Sequence, residues 1–224
     1  MTMVDFERAR AVMVDHQVRT HNVTDRQLLA VLGSVPRERF VPENWRDLAY
    51  IDDAIPLAGA DAARFLAPAA QFGKLVQLAE IAETDRVLDL GAGTGYSTAV
   101  LAGLASEVVG VEVDGDMATE ANNILADLGI TNAKVVQAPF DVPLKGEGEF
   151  DVVLIEGTVF EVPDSAFRAL KDGGRLIALV AEGQGLTASA HIFAKVGKEI
   201  ASRSAFNGSI PPLPLAKAPE QFVF

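Results

Sequence analysis

One stretch limits what this chain can fold into more than any other. Residues 87–97 read VLDLGAGTGYS: a short apolar run, glycines at Gly91, Gly93 and Gly95, then helix-forming residues. A backbone that turns sharply off a strand needs positive φ, which glycine accepts, and the missing Cβ atoms let a ligand lie against the main chain. The following helix would present unpaired N–H groups and a positive dipole end to that ligand. The same texture then repeats. Apolar runs at 86–91, 107–114, 133–138, 150–157 and 175–182 predict strands, the last introduced by a Gly173-Gly174 turn. Helical spacing at 96–105, 116–129 and 162–170 separates several of them, with Gly129 as a helix stop. Strands rich in Val, Ile and Leu are buried on both faces, and alternation with helices implies right-handed crossovers. The fold class is therefore α/β, a doubly wound, mostly parallel sheet.

The flanks add to this body. Residues 3–33 predict two helices broken near His21-Asn22, with Asn22-Val23-Thr24-Asp25 as a capping segment and Gly33 as a stop. From Val35 to Pro68 the chain is punctuated by Pro36, Pro42, Pro56 and Pro68, which predicts loop and short strand, and residues 69–82 return to helical spacing. HIFAKVGKEIASRSAF predicts one or two antiparallel strands at the sheet edge, and the Pro-rich SIPPLPLAKAPEQFVF a tail packed on the body. The expected organisation is one structural domain, with a helical and loop segment (1–68), an α/β core (69–182) and a C-terminal extension (183–224).

Composition narrows the chemistry. There is no cysteine, so disulfide scaffolds, thiol nucleophiles and Cys-ligated metals are excluded. His16, His21 and His191 have no metal-ligand spacing and read as surface or packing residues, so no metal site is expected. With 19 basic and 31 acidic residues, the net charge is −12. Such a surface repels phosphate backbones and anionic membranes, so neither nucleic acid nor membrane is expected as a partner. Charges at Asp5, Glu7, Arg8 and Arg10 interrupt any signal-peptide apolar region, and the protein is expected in the cytoplasm.

The glycine loop selects among nucleotides. A dinucleotide fingerprint read from Gly91 would need its third glycine where Tyr96 stands. The G-x-G-x-G spacing after Asp89 instead resembles the first motif of S-adenosylmethionine-dependent methyltransferases, a Rossmann-like class. Glu112 ends the next strand, where a carboxylate accepts hydrogen bonds from both ribose hydroxyls in either class. Residues 13–57, with VPRERFVP at 35–42 and Ala49-Tyr50-x-Asp52, resemble the start of protein-L-isoaspartate O-methyltransferases, as does DLGAGTGYSTAVLA. The resemblance covers roughly residues 10–180 and implies added N-terminal helices.

It also implies a reaction: methyl transfer from S-adenosylmethionine to the free carboxylate of an isoaspartyl residue in a damaged protein or peptide. Such a carboxylate is already ionised near pH 7, so the chemistry asks mainly for positioning and exclusion of water. Carried over, the cofactor side comprises Asp89, Gly91, Ala92, Gly93, Gly95, Tyr96, Glu112, Ala138 and Pro139. The acceptor side comprises Asp52, Leu66 and Glu156, although a turn-forming role for the Asp52-Asp53 pair is equally open. Trp45 and Tyr50 read as anchors of their loop.

Three departures bear on the acceptor. The family's Thr-Ile-Ser-Gln-Pro-like segment is Arg64-Phe65-Leu66-Ala67-Pro68 here, so the serine position is Leu66, and the loop at 58–63 before it is about two residues longer. The Gly-Asp-Gly ending of the third strand is replaced by Gln137-Ala138-Pro139-Phe140-Asp141, where Phe140 is placed to stack on adenine or Asp141 to substitute for the missing acid. The fourth strand ends Ile155-Glu156-Gly157-Thr158, and an ionised Glu156 there would repel a carboxylate or orient an amine. The expectation is that cofactor binding survives and isoaspartyl activity is weak, altered or absent. The alternatives are a different methyl acceptor, or a cofactor-binding protein without isoaspartyl activity. Oligomeric state is not legible.

Overall fold

The computed structural model describes residues 4–57, 64–181 and 188–214. Helix α1 (Phe6–Met13) begins at Asp5, whose carboxylate accepts from the Arg8 N–H at 3.0 Å. It runs on through a π-helical turn (Val14–Val18) and a 3-10 turn (Arg19–His21) to Asn22, which takes φ 65°. Asparagine tolerates that left-handed conformation, so the break falls where the sequence placed it. Helix α2 (Arg26–Ser34) is capped by Asp25 on the Leu28 N–H. Gly33 lies inside α2 and does not stop it. The helix ends at Val35, which is extended because Pro36 disfavours a helical residue before it.

The proline-punctuated segment folds into 3-10 turns at Arg37–Arg39 and Glu43–Leu48 and a small antiparallel ladder, β1 (Ile55–Pro56) with β2 (Phe65–Leu66). The stretch at 58–63 between them is outside the described residues. Then come α3 (Ala69–Ala79), β3 (Arg86–Leu90), α4 (Tyr96–Ala102), β4 (Glu107–Glu112), α5 (Gly115–Asp127), β5 (Ala133–Gln137), β6 (Phe150–Val159), α6 (Asp164–Arg168), β7 (Leu170–Ala181), β8 (Ala188–Val196) and β9 (Glu199–Gly208). Gly129, at φ 70°, follows α5 as expected. Strand β7 starts earlier than predicted. Gly173 and Gly174 lie within it, at a register shift between the Phe150↔Leu170 and Val152↔Arg175 pairs, and do not form a turn ahead of the strand.

The main sheet has seven strands in the order β5-β4-β3-β6-β7-β8-β9. The first five are parallel, and β8 and β9 add an antiparallel hairpin at the edge. From β3 the chain winds outward through β4 and β5, then returns to β6 on the other side. That reversal opens a crevice at the carboxyl ends of β3 and β6, where open α/β sheets bind ligands.

Successive strand residues feed two cores. Val87, Val108, Val152, Leu154, Ile177 and Leu179 pack beneath the N-terminal helices, α3, α4 and α5. Leu88, Leu90, Val109, Val111, Val153 and Ile155 face a thinner layer that includes Phe140, Ala166 of α6 and Leu213. Leu213 belongs to the Pro-rich tail, of which residues 215–224 are outside the described set.

The VPRERFVP run is anchored by one side chain. Arg37 is fully buried and donates to the carbonyls of Ala49 (2.8 Å) and Ala67 (2.6 Å), with its guanidinium 4.8 Å from the Tyr96 ring centroid. It therefore ties the 3-10 segment to the residue just before Pro68 and to the start of α4. Arg37→Ala would leave two buried carbonyls without donors and a cavity beside Tyr96. We expect a loss of about 3–5 kcal/mol, read as a lower urea midpoint. A change under about 1 kcal/mol would show that the anchor is redundant.

Candidate functional site

The glycine turn sits at the head of β3. Gly91, Gly93 and Gly95 have φ of 95°, 55° and 92°. The N–H groups of Gly91 and Ala92 both donate to the Val111 carbonyl at 3.0 Å, clamping the turn onto β4. The Thr94 hydroxyl donates to the Phe40 carbonyl at 2.5 Å, which fastens it to the loop after VPRERF.

Glu112, at the end of β4, is fully buried. Its Oε2 accepts from the Gly93 N–H at 2.8 Å, and its Oε1 from the N–H groups of Val113 (2.9 Å) and Asp114 (3.2 Å). The remaining donor is Arg64, just before β2. Its Nη2 lies 2.7 Å and its Nε 3.1 Å from Glu112 Oε2, and Nη2 also donates to the Gly91 carbonyl at 2.6 Å. The guanidinium stands 5.7 Å from the Phe140 ring centroid, so the ring read as an adenine platform faces an arginine.

The space left by the missing Cβ atoms is also taken. A Cβ built on Gly93 would lie 2.7 Å from Leu57 Cδ1, and one on Gly91 would lie 2.8 Å from Leu213 Cδ2. Gly157, at φ 153° after Glu156, gives the other side of the same notch, its Cβ position 2.7 Å from Leu213 Cγ. Leu213 is held there by a strap. Thr158 donates through its hydroxyl to the Ile210 carbonyl (2.5 Å) and through its N–H to the Pro211 carbonyl (3.2 Å), and it accepts from the Leu213 N–H (3.0 Å). The hollow lined by Leu66, Phe72, Gly91, Ala92, Tyr96, Ser97 and Glu156 has about 10 Å³ of free volume, room for about one water molecule. A larger groove of about 330 Å³ runs beside the strap, among Asp53, Pro68, Thr158, Phe160 and Ile210.

Glu156 lines the hollow, and Asp89 lies behind one of its lining residues, Ser97. Asp89 is buried, and its Oδ2 accepts from the hydroxyls of Ser97 (2.7 Å) and Thr98 (2.6 Å), while Oδ1 has no partner among the described residues. Burial raises its pKa from the usual 3.8 to about 6, with Glu112 adding to the rise and the two hydroxyls and Arg64 opposing it. Glu156 is half-buried as a residue, but its Oε1 is enclosed and unpartnered among the described residues. Burial, then the charge of Asp89, holds its carboxyl well above the ordinary range, against the pull of Arg64 and Arg37. It therefore keeps its proton more readily than an exposed glutamate. The environment thus disfavours the ionised form of Glu156, the one in which it would repel a carboxylate or orient an amine.

The structure thus brings Asp89, Gly91, Ala92, Gly93, Tyr96, Glu112, Leu66 and Glu156 around one crevice. Gly95 backs onto Ala121 of α5, with its Cβ position 3.0 Å from that residue's Cβ. Ala138 donates its N–H to the Glu112 carbonyl at 3.0 Å, and Pro139 lies on the far core with Phe140, Leu90 and Val111. Asp52 is exposed, while its neighbour Asp53 lines the groove and caps the Ala54 N–H at 2.7 Å. Sequence reasoning named Arg64 and Gly157 only within departures from a motif and passed over Leu57 and Leu213. The available signal was Arg64 itself, the single charge between Asp61 and Lys74.

The chemistry of this donor set suits a sulfonium nucleoside: a carboxylate for the ribose, and a free carbonyl lone pair and orphaned acid for a cationic group. The volume for it is held by Arg64, Leu57 and Leu213. Among the described residues no cluster of potential metal ligands occurs, and no helix is long and apolar enough to cross a membrane.

Comparison with known proteins agrees with this architecture. Residues 8–205 match the family model described as protein-L-isoaspartate(D-aspartate) O-methyltransferase. A protein-L-isoaspartate O-methyltransferase of Koribacter versatilis is 31% identical over 175 residues, 78% of each chain. One from Methanoculleus marisnigri is 34% identical over 173 residues, 77% of each chain. A solved protein-L-isoaspartate O-methyltransferase superposes with TM-score 0.78 at 22% identity, covering 92% of this chain and 65% of its own. A Plasmodium falciparum structure described as a beta-aspartate methyltransferase, in complex with S-adenosyl-L-homocysteine, gives 0.75 at 19% identity, covering 92% and 98%.

The raised Asp89 pKa fixes a pH dependence. Between the unfolded value near 3.8 and the folded value of about 6, the native state binds more protons than the unfolded one, so this residue's contribution to stability falls as pH rises through that window. The Tm of the parent chain minus that of Asp89→Asn should therefore decrease from pH 4 to pH 6 and level off above it. A difference that is flat or rises over that range would contradict the burial argument.

Proposed function

The chain belongs to the protein-L-isoaspartate(D-aspartate) O-methyltransferase family, and on that premise we propose that it transfers a methyl group from S-adenosylmethionine to a carboxylate of an isoaspartyl residue in a damaged polypeptide. The observation that carries this reading is the buried Glu112 beside the glycine turn, at the switch point of the sheet. S-adenosylmethionine, when bound, supplies an activated methyl group on a sulfonium.

The protein's own part is placement and dehydration. Glu112 presents Oε2 to the ribose hydroxyls, with its other oxygen fixed by the Val113 and Asp114 N–H groups. The Gly91 carbonyl and Asp89 Oδ1 offer acceptors to the ammonium of the methionine part. Leu66, Ala67 and Phe72 form an apolar wall that keeps water from the acceptor carboxylate. Leu66 has no hydroxyl to orient that carboxylate. Glu156, whose burial favours the protonated form, supplies an O–H donor in its place when it carries that proton, and then presents no like charge. The groove of about 330 Å³ along Asp53, Pro68 and Phe160 is the adjacent space for the peptide that carries the acceptor.

A second reading follows from the same two residues: with Leu66 and Glu156 replacing the family's hydroxyl and small side chains, the acceptor is a different nucleophile such as an amine. In either case the partner is a peptide or small molecule, since the charge of −12 disfavours nucleic acid, and a cysteine-free chain suits the cytoplasm.

Labelled methyl transfer from S-adenosylmethionine to an isoaspartyl peptide, an amine panel and small acids tests the assignment. We expect label on the isoaspartyl peptide, lost as base-labile ester. Label on the amines alone would move the assignment to the second reading, and label on nothing would overturn both. Glu156→Gln keeps a neutral donor and should retain activity within about threefold, whereas Glu156→Ala should lose about tenfold or more, the worth of one oriented hydrogen bond.

A further inference from the structure

The crevice is filled by the chain itself, and the filling is specific. Arg64 meets three groups that the cofactor reading assigns to the ligand: Glu112 Oε2, the Gly91 carbonyl and the face of Phe140. It is 3% exposed, and the carboxylate it pairs with is fully buried. Leu213 fills the notch between Gly91 and Gly157, where backbone without side chains would otherwise receive the ligand. The strap that carries Leu213 is fixed to Thr158 through main-chain and side-chain hydrogen bonds and lies beyond residue 205, where the family match ends.

We propose that Arg64 is a built-in competitor of the sulfonium nucleoside, holding the ribose-binding carboxylate in the ligand's absence and keeping the crevice closed together with Leu213. This rests on the reading of Glu112 as the ribose acceptor. Glu112 cannot stay buried as a lone charge. Water satisfies it in an open crevice, whereas here a guanidinium does so from within. Ligand binding is then an exchange. Arg64 must leave Glu112, Gly91 and Phe140, and Leu213 must leave its notch, before ribose and methionine parts can enter. The measured affinity is the intrinsic affinity reduced by the fraction of molecules in which Arg64 has withdrawn.

Calorimetric titration with S-adenosyl-L-homocysteine tests this without any turnover. The parent chain should bind weakly, and Arg64→Ala should bind about tenfold more tightly or better, the equivalent of one charge-assisted hydrogen bond removed from the competitor. Arg64→Gln, which keeps a neutral donor and bulk, guards against misfolding of the alanine variant and should fall between the two. Leu213→Ala opens the other half and should also tighten binding. The ligand should raise the Tm of the Arg64 variants more than that of the parent. Equal affinity for all four proteins overturns the competitor and leaves the cofactor reading intact. Weaker binding by the Arg64 variants also overturns it, because Arg64 would then be a ligand-holding residue. No binding by any of the four, with all folded, overturns it together with the cofactor reading.

Discussion

The carboxylate of Glu112 is the point on which the carboxyl edge of the sheet depends. It receives an N–H from the glycine turn, two from the start of the following loop, and two more from a guanidinium that enters from the N-terminal segment. Those pieces come from three separate parts of the chain, and the carboxylate is the group they share. A buried charge is tolerated only when nearly all its lone pairs are engaged, so this one acid imposes the conformations of Gly93, Val113 and Asp114 together. The parallel strands provide the platform. Their carboxyl ends place Glu112, Asp89 and Glu156 on three neighbouring strands, β4, β3 and β6, within one crevice.

Clustering acids in this way has a cost that the surroundings meet unequally. Glu112 is compensated by donors. Asp89 is compensated on one oxygen by Ser97 and Thr98, and Glu156 is enclosed with an unpartnered oxygen. The raised pKa values of the last two follow from that inequality, as proton uptake is the remaining way to discharge a buried carboxylate. The two do not shift independently: the charge on Asp89 is one of the causes that favour the protonated form of Glu156.

What was legible in the sequence was local. The strand, glycine turn and helix around Asp89–Tyr96 are consecutive, and Glu112 follows at the end of the next apolar run, so spacing alone located them. The helix break at Asn22 and the Asp25 cap were readable for the same reason. Gly33 misled because a glycine in a solvent-facing turn is tolerated within a helix, and Pro36, two residues past Ser34, was the real stop. Gly173-Gly174 misled because β7 absorbs the pair as an irregularity in its pairing with β6. Arg64 and Leu213 were illegible in their roles because each acts on residues far away in the chain. Nothing in the local pattern AARFLAP or IPPLPL names Glu112 or Gly91 as the target. Arg64's isolation in an apolar run signals that it must find a buried partner, but not which one.

The strap over Gly157 has a consequence for how the molecule comes into being. A notch that is filled by a later stretch of chain can close only once that stretch has been made. Here Ile210–Leu213, which follow every strand of the main sheet, fill the notch with their own atoms. Ribosomal synthesis delivers that segment after the sheet, so filling the notch between Gly91 and Gly157 is a late, intramolecular step.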